Sequence, residues 1–137
     1  MEEWGDGEGE RRVSVLIADD HARFAETVEA LLSMETAIDV IGRAANGEEA
    51  ERLALALKPD VVLMDISMPV VDGFEATRRI RGQLPDTCVL FLTGSDAMSD
   101  LEEAQRVGAV GYLTKDRIAS ELVEAIHSAA PPCAPLS

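Results

Sequence analysis

Hydrophobic and polar residues follow two different patterns that alternate along the chain. Short apolar runs occur at residues 13–18, 38–45, 61–65, 87–93 and 109–114. Each run is bounded by turn-forming or charged residues, which is typical of buried strands. We therefore predict five β-strands at these positions.

Each apolar run is followed by a stretch in which apolar residues recur with helical spacing. The first predicted helix begins near His21, and a weaker one covers roughly residues 96–107. Asn46, followed by Glu49 three residues on, predicts a capped helix start, and Asp72 or Gly73 opens another helix. The predicted inward-facing positions are Phe24, Val28, Leu31 and Leu32; Ala50, Leu53, Ala54 and Leu57; Phe74, Thr77 and Ile80; and Ile118, Leu122, Ile126 and Ala129.

Five strands that alternate with five helices predict a doubly wound α/β fold. Parallel strands need a crossover connection, so the helices would cover both faces of a parallel sheet. The nearly continuous apolar runs agree with this, because strands covered on both faces lose their polar alternation. In such folds the ligand site lies beyond the carboxyl ends of the strands.

The composition limits the size of the protein and the class of its partners. A chain of 137 residues is one domain, and its net charge of -14 disfavours binding of nucleic acid by these residues. No signal peptide or membrane anchor can be read in the sequence, so we expect a cytoplasmic protein without a membrane partner.

The ends of the chain differ from its middle. Residues 1–12 are rich in Gly and Glu and predict a disordered acidic leader, whereas residues 131–137 form a Pro-rich tail or the start of a linker. The ordered domain is predicted over residues 13–130. Cys88 and Cys133 have neither metal-site nor disulfide spacing, and we expect free thiols.

Charged and hydroxyl side chains stand where four of the predicted strands end. Asp19 and Asp20 follow the first strand, Asp65 ends the third, Thr93 the fourth, and Lys115 follows the fifth. Carboxylates this close would repel one another unless a cation were bound. Oxygen ligands at an open cleft favour Mg²⁺, with Mn²⁺ as the other candidate. A carboxylate beside the metal could attack phosphorus to form an acyl phosphate.

Other interpretations account for parts of this pattern. A single Asp after a strand is commonly a helix cap or turn residue, and Lys115 alone would be a solvated surface charge. A phosphatase of the haloacid dehalogenase type needs a second acid two residues after Asp65, where the chain has Ser67. A flavodoxin-like FMN-binding protein needs a hydroxyl-rich loop after the first strand, which holds Asp19 and Asp20 instead.

Four segments together resemble the receiver domain of bacterial response regulators, in particular its NarL/FixJ (LuxR-type) branch. They are ADDH at 18–21, VVLMDISMPVVDG at 61–73, FLTGS at 91–95 and GYLTKD at 111–116. The resemblance implies a flavodoxin-like (CheY-like) fold with five parallel strands in the order 2-1-3-4-5. It also implies a phosphoacceptor that takes its phosphoryl group from a sensor histidine kinase in a two-component system.

The resemblance assigns a role to each residue at the predicted site. Asp65 would accept the phosphoryl group, and Asp65 and Asp20 would bind Mg²⁺ directly. The backbone carbonyl of Ser67 would be a third protein ligand, and Asp19 would act mainly through water. His21, beside these acids, is more simply a local surface residue than a catalytic one.

The resemblance also implies a switch. Thr93 would hydrogen-bond the phosphoryl group, Lys115 would pair with it, and Tyr112 would turn inward as Thr93 moves. The alternative is that Tyr112 is an ordinary strand aromatic residue. The changed surface would be the last two helices and the fifth strand, which could bind a partner or a second copy of the chain.

The chain departs from the pattern of the family at one position. Asp116 follows Lys115 where many receivers have proline, so the cis bond common there is not required.

The output is open. Regulators of this branch usually carry a helix-turn-helix DNA-binding domain after a linker. The sequence is compatible with the receiver of such a transcriptional regulator and with a single-domain regulator or interaction module.

Overall fold

A computed structural model describes residues 12–94 and 98–133, and it contains the five predicted strands. Their bounds agree with the apolar runs to within two residues, which confirms the prediction. The strands are β1 (Val13–Ala18), β2 (Ile38–Ala44), β3 (Val61–Asp65), β4 (Cys88–Thr93) and β5 (Gly111–Thr114).

Helices follow the strands as predicted, and a short 3₁₀ turn, Lys115–Arg117, precedes the last of them. Within the described ranges, none of the helices is both long and apolar enough to cross a membrane. The helices are α1 (Ala22–Leu32), α2 (Gly47–Leu57), α3 (Gly73–Gln83), α4 (Met98–Arg106) and α5 (Ile118–Ala129).

The strands form one parallel sheet in the order β2-β1-β3-β4-β5, which confirms the predicted fold class and strand order. Ala18 lies beside Met64 in the register of β1 and β3, and Asp65 lies beside Leu92 of β4. The residues that end β1, β3 and β4 are therefore neighbours at one edge of the sheet.

Each face of the sheet has its own core, because side chains alternate along a strand. Val62 and Met64 of β3 pack with α2, α3 and α4, whereas Val61 and Leu63 pack with α1 and α5. All four of these side chains are buried, which explains why β3 reads as a continuous apolar run.

Side-chain caps fix two helix starts that border the site edge. The backbone N–H of Glu49 donates to Asn46 Oδ1 at 2.8 Å, which confirms the predicted capped start of α2. The Glu49 carboxylate also accepts from Ala45 N, one residue before the cap, at 2.7 Å. Asp72 accepts from Glu75 N at 2.9 Å and caps α3 in the same way.

The prediction of two free thiols is wrong, because Cys88 and Cys133 form a disulfide. The fold brings the first residue of β4 next to the segment that follows α5, although 45 positions separate the two cysteines. That proximity depends on tertiary packing and has no signature in cysteine spacing. The predicted leader, apart from residue 12, and the tail beyond Cys133 lie outside the described residues.

Candidate phosphoryl-acceptor site

Two buried carboxylates lie side by side at the carboxyl edge of the sheet. Asp65 is the last residue of β3 and Asp19 follows β1, and each is only 5% exposed. Their positions follow from the pairing of Ala18 with Met64, since each acid comes one residue later in its own strand. Buried carboxylates need compensating partners, which makes their surroundings informative.

Asp20 and His21 complete a cluster with these two acids. One potential ligand atom from each of the four residues lies within 4.8 Å of all the others. The Nδ1 of His21 is 3.3 Å from Asp19 Oδ1 and 3.2 Å from Asp20 Oδ1. Asp20 and His21 are exposed, so the cluster has a buried half and an open half.

Lys115 is the cation that faces the buried acids. Its Nζ is 2.9 Å from Asp19 Oδ2 and 3.6 Å from Asp65 Oδ1. It also lies 4.3 Å from the centre of the Phe24 ring, within the range of a cation–π interaction. The residue begins the 3₁₀ turn after β5, so the end of that strand determines its reach.

Asp65 is electrostatically unfavourable in its ionised form. Burial, together with the neighbouring charge of Asp19, raises the pKa of Asp65 from 3.8 to about 6, and the ammonium of Lys115 only partly opposes this. The Oδ2 atom of Asp65 is buried and accepts no hydrogen bond from any residue in the described part of the chain. An added cation at this position would relieve both conditions.

The loop after β3 is held close to Asp65 by a glycine. Gly73 N donates to Ile66 O at 2.8 Å, and a Cβ on Gly73 would lie 2.2 Å from the backbone oxygen of Asp65. Only glycine fits this approach. Ser67, whose carbonyl was predicted as a metal ligand, lies exposed in the same loop.

The predicted switch residues lie on the neighbouring strands. Thr93 ends β4, is 5% exposed and pairs in register with Thr114 of β5. Tyr112 is half-buried and packs against the core on the α2, α3 and α4 face. An open depression of about 690 Å³ next to it is lined by residues of α4, β5 and α5, including Leu101, Tyr112 and Glu121.

The structure therefore brings the predicted Asp19, Asp20, Asp65 and Lys115 together, and it adds two residues. His21 is exposed as predicted, but its ring contacts both neighbouring acids. Phe24 was predicted only as a core residue of α1, yet its ring also contacts Lys115. Helical periodicity cannot distinguish these two uses of an aromatic side chain.

Comparisons with known proteins agree with this arrangement. A family model described as "Response regulator receiver domain" matches residues 15–127. The chain is 36% identical to a solved structure of the signal receiver domain of the response regulator NarL from Mycobacterium tuberculosis. The match covers 89% of this chain and 98% of that one, with a TM-score of 0.84.

Curated relatives are longer than the chain. It is 41% identical over 117 residues to the transcriptional regulatory protein DegU of Brevibacillus brevis, covering 85% of this chain and 50% of the relative. It is 36% identical over 117 residues to the nitrate/nitrite response regulator protein NarL of Escherichia coli strain K12. That match covers 85% of this chain and 54% of the relative. The chain thus spans about half the length of these relatives.

Proposed function

Because the chain belongs to the response regulator receiver domain family of two-component systems, we propose that Asp65 is its phosphoacceptor and a sensor histidine kinase its donor. One observation carries the assignment of the residue. Asp65 is a buried carboxylate at a strand end, with its Oδ2 unpaired among the described residues and two further acids beside it. Most buried side-chain oxygens in proteins have a hydrogen-bond partner, so an unpaired one calls for an explanation such as a metal or catalytic role.

The residues around Asp65 fit a divalent cation. Receiver domains bind Mg²⁺ at an acidic pocket, and the unpaired oxygen of Asp65 together with the carboxylates of Asp19 and Asp20 is a donor set of the type that Mg²⁺ prefers. Mn²⁺ accepts the same donors. We assign Asp20, Asp65 and the Ser67 carbonyl as direct ligands and Asp19 as a ligand through water. When bound, the ion would offset the charge of the carboxylates and of the phosphoryl oxygens.

The reaction forms one bond and breaks one. A carboxylate oxygen of Asp65 attacks the phosphorus of the donor phosphohistidine, the P–N bond breaks, and the imidazole nitrogen keeps the electron pair. Lys115, 3.6 Å from Asp65, is placed to pair with the transferred group. Thr93 supplies a hydroxyl from the neighbouring strand end. The chain would catalyse only this transfer and the later hydrolysis of its own acyl phosphate.

Phosphorylation would change the surface formed by α4, β5 and α5. A dianionic group on Asp65 offers new charge-assisted hydrogen bonds to Thr93 and Lys115. Tyr112, three residues before Lys115, borders the depression on this surface and is suited to respond to a movement of Thr93. We propose that the altered surface binds a second copy of the chain, so that phosphorylation promotes a homodimer.

We further propose that the chain is the receiver of a transcriptional response regulator in the cytoplasm, where a sensor kinase would phosphorylate it. DegU is named a transcriptional regulatory protein, and the chain matches half of it. The alternative is a single-domain regulator that acts through protein contacts. The coding sequence downstream of Ser137 distinguishes the two, since a helix-turn-helix domain would indicate a transcription factor and a stop codon a diffusible regulator.

The phosphoacceptor assignment is tested with acetyl phosphate and Mg²⁺, followed by intact mass measurement. We expect the wild type to gain one base-labile phosphoryl group and Asp65→Asn to gain none. The matched control is Asp72→Asn in the same loop, because Asn caps a helix as well as Asp does. Phosphorylation of Asp65→Asn, or its absence from the wild type and control alike, contradicts the proposal.

Dimerisation is tested separately by light scattering with beryllofluoride and Mg²⁺. We expect the mass of the wild type to double at micromolar concentrations, and Asp65→Asn to remain a monomer. A monomeric wild type that nevertheless binds beryllofluoride would remove the dimer proposal and leave the phosphoacceptor assignment intact.

A further inference from the structure

The disulfide lies at the amino ends of the strands, whereas Asp65 lies at their carboxyl ends. Cys88 is the first residue of β4 and is fully buried, whereas Cys133 follows α5 and is partly exposed. Their Cα atoms are 5.3 Å apart, a separation that the fold sets and that a disulfide can span. Cys88 is therefore shielded from solvent, and Cys133 is the partly exposed member of the pair.

An arginine lies beside the sulfur of Cys133. Arg81 Nη1 donates to the backbone oxygens of Pro85 and Thr87, at 2.6 and 2.9 Å, and lies 3.5 Å from the Sγ of Cys133. Neither of these two bonds involves a sulfur, so breaking the disulfide does not by itself remove them. A cation next to a thiol favours the thiolate, which is the reactive form.

The same edge of the sheet offers access to a small molecule. An open depression of about 410 Å³ is lined by sequence neighbours of both cysteines, including Thr87 and Pro131. Because Cys133 is partly exposed and Cys88 is fully buried, a low-molecular-weight thiol or disulfide would reach Cys133 first.

We propose that Cys88 and Cys133 form a reversible thiol–disulfide modification site for a low-molecular-weight thiol such as glutathione. The Cys133 thiolate attacks a small disulfide, a mixed disulfide forms, and one small thiolate leaves. The deprotonated Cys88 sulfur then attacks the Cys133 sulfur and displaces the second. The small disulfide is reduced to two thiols, and the two protein thiols are oxidised to the bridge. Cytosolic disulfides of this kind are usually transient or redox-sensing.

The bridge controls the segment that follows α5. Oxidation joins Cys133 to the first residue of β4. The bridge therefore holds the segment of residues 130–133 against the amino end of the sheet. Reduction releases this segment. Because the bridge and Asp65 lie at opposite ends of the strands, the site requires no phosphorylation, and the inference stands apart from the proposed function.

The test begins with the wild-type chain equilibrated in glutathione buffers of graded ratio. The exchange is stopped with acid, and the protein is alkylated in denaturant, so that the buried Cys88 also reacts, and weighed intact. We expect two alkylated thiols under reducing conditions, none under oxidising conditions, and a reversible transition in the folded protein. A bridge that opens only on unfolding, or thiols that never pair, overturns the proposal.

The role of Arg81 is tested by the rate of bridge formation from the reduced protein with oxidised glutathione. We expect Arg81→Gln to slow it by roughly three- to tenfold and Arg81→Lys to retain most of the rate, because the thiolate fraction depends on the nearby charge. The matched control is Arg78→Gln on the same helix, whose partners are Glu75 and Glu103. Equal rates in all four proteins would show that Arg81 does not activate Cys133.

Release of the segment is measured by hydrogen exchange at the backbone amides of Ala130 and Cys133, because Pro131 and Pro132 carry no amide hydrogen. We expect at least tenfold faster exchange in the reduced wild type and in Cys133→Ser than in the oxidised wild type, since local opening is limited by the bridge. Phosphorylation by acetyl phosphate should stay unchanged in Cys133→Ser. Equal exchange in the oxidised and reduced forms contradicts the tether.

Discussion

Lys115 donates a hydrogen bond from Nζ to Oδ2 of Asp19 at 2.9 Å, across 96 positions of sequence. Asp19 directly follows β1 and Lys115 directly follows β5, and β3 and β4 lie between those strands in the sheet. The ammonium thus reaches over the site edge and offsets one buried carboxylate while it faces a second. Any ligand that takes over this charge compensation would free Lys115 for a new partner.

Loss of this ammonium should destabilise the protein in the absence of metal. We expect Lys115→Met to lower the free energy of unfolding at pH 7.5 in EDTA by about 2–3 kcal/mol, because two buried carboxylates lose their cation. Chemical denaturation measures the change. The loss should shrink on addition of Mg²⁺, which would supply another positive charge.

The control for this substitution is Lys58→Met, which removes the other lysine at a site remote from the acids. It should change the unfolding free energy much less and show no dependence on Mg²⁺. A Lys115→Met protein as stable as the wild type in EDTA would mean that the ion pair contributes nothing net to stability.

The raised pKa of Asp65 predicts a specific pH dependence. Since the folded-state pKa is about 6 and the usual value 3.8, the folded protein holds more protons than the unfolded chain between these values. The contribution of protonated Asp65 to the free energy of unfolding is therefore fully present below pH 4, and it is lost as the pH rises through 6. In EDTA at pH 8, ionised Asp65 should cost up to about 3 kcal/mol.

Asp65→Asn removes this titration. We expect the variant to be more stable than the wild type in EDTA at pH 8, with the difference falling towards zero as the pH approaches 4. Mg²⁺ at pH 8 should stabilise the wild type and reduce the difference. A difference that is constant across this pH range would show that Asp65 ionises with an ordinary pKa.

The sequence predicted the architecture well because its information is local. Apolar runs, the Asn46 cap and the Asp72 cap each act over a few residues, and strand-end position alone was sufficient to group Asp65 with Asp19. The disulfide could not be predicted, since the contact between Cys88 and Cys133 depends on how α5 packs. Which oxygen of Asp65 lacks a partner likewise depends on side-chain geometry that no pattern encodes.

Two glycines on α3 should respond in opposite ways to alanine. A Cβ on Gly73 would meet the backbone oxygen of Asp65 at 2.2 Å, whereas a Cβ on Gly82 would have nothing within 4 Å. We expect Gly73→Ala to destabilise by about 2 kcal/mol or more through backbone displacement. Gly82→Ala should stabilise by about 0.5–1 kcal/mol, as alanine favours a helix.

The same pair separates stability from function. Gly73→Ala moves the backbone of Asp65 and should slow phosphorylation by acetyl phosphate at a temperature where the variant is still folded. Gly82→Ala should phosphorylate at the wild-type rate. A Gly73→Ala protein with normal stability and rate would mean that the loop absorbs the added methyl group.

Val70 is strained, and its replacement should stabilise the protein. Its φ is 71°, and Val71 N donates to Pro69 O at 2.8 Å, which makes a γ-turn of the rare positive-φ type with a β-branched residue at its centre. Asn has no branch at Cβ, so Val70→Asn should relieve part of this strain and gain about 1 kcal/mol in chemical denaturation. Lys58→Asn at φ 50° should gain less, because Lys is unbranched.

A strained apolar residue that is 75% exposed in the loop after Asp65 suggests a contact made by the side chain with a partner. We expect Val70→Asn to slow phosphoryl transfer from the kinase, while its phosphorylation by acetyl phosphate stays at the wild-type rate, because the small donor needs no protein contact. Val70→Ile, which keeps the apolar surface, should retain transfer from the kinase. Equal slowing with both donors would instead indicate that the γ-turn positions Asp65 itself.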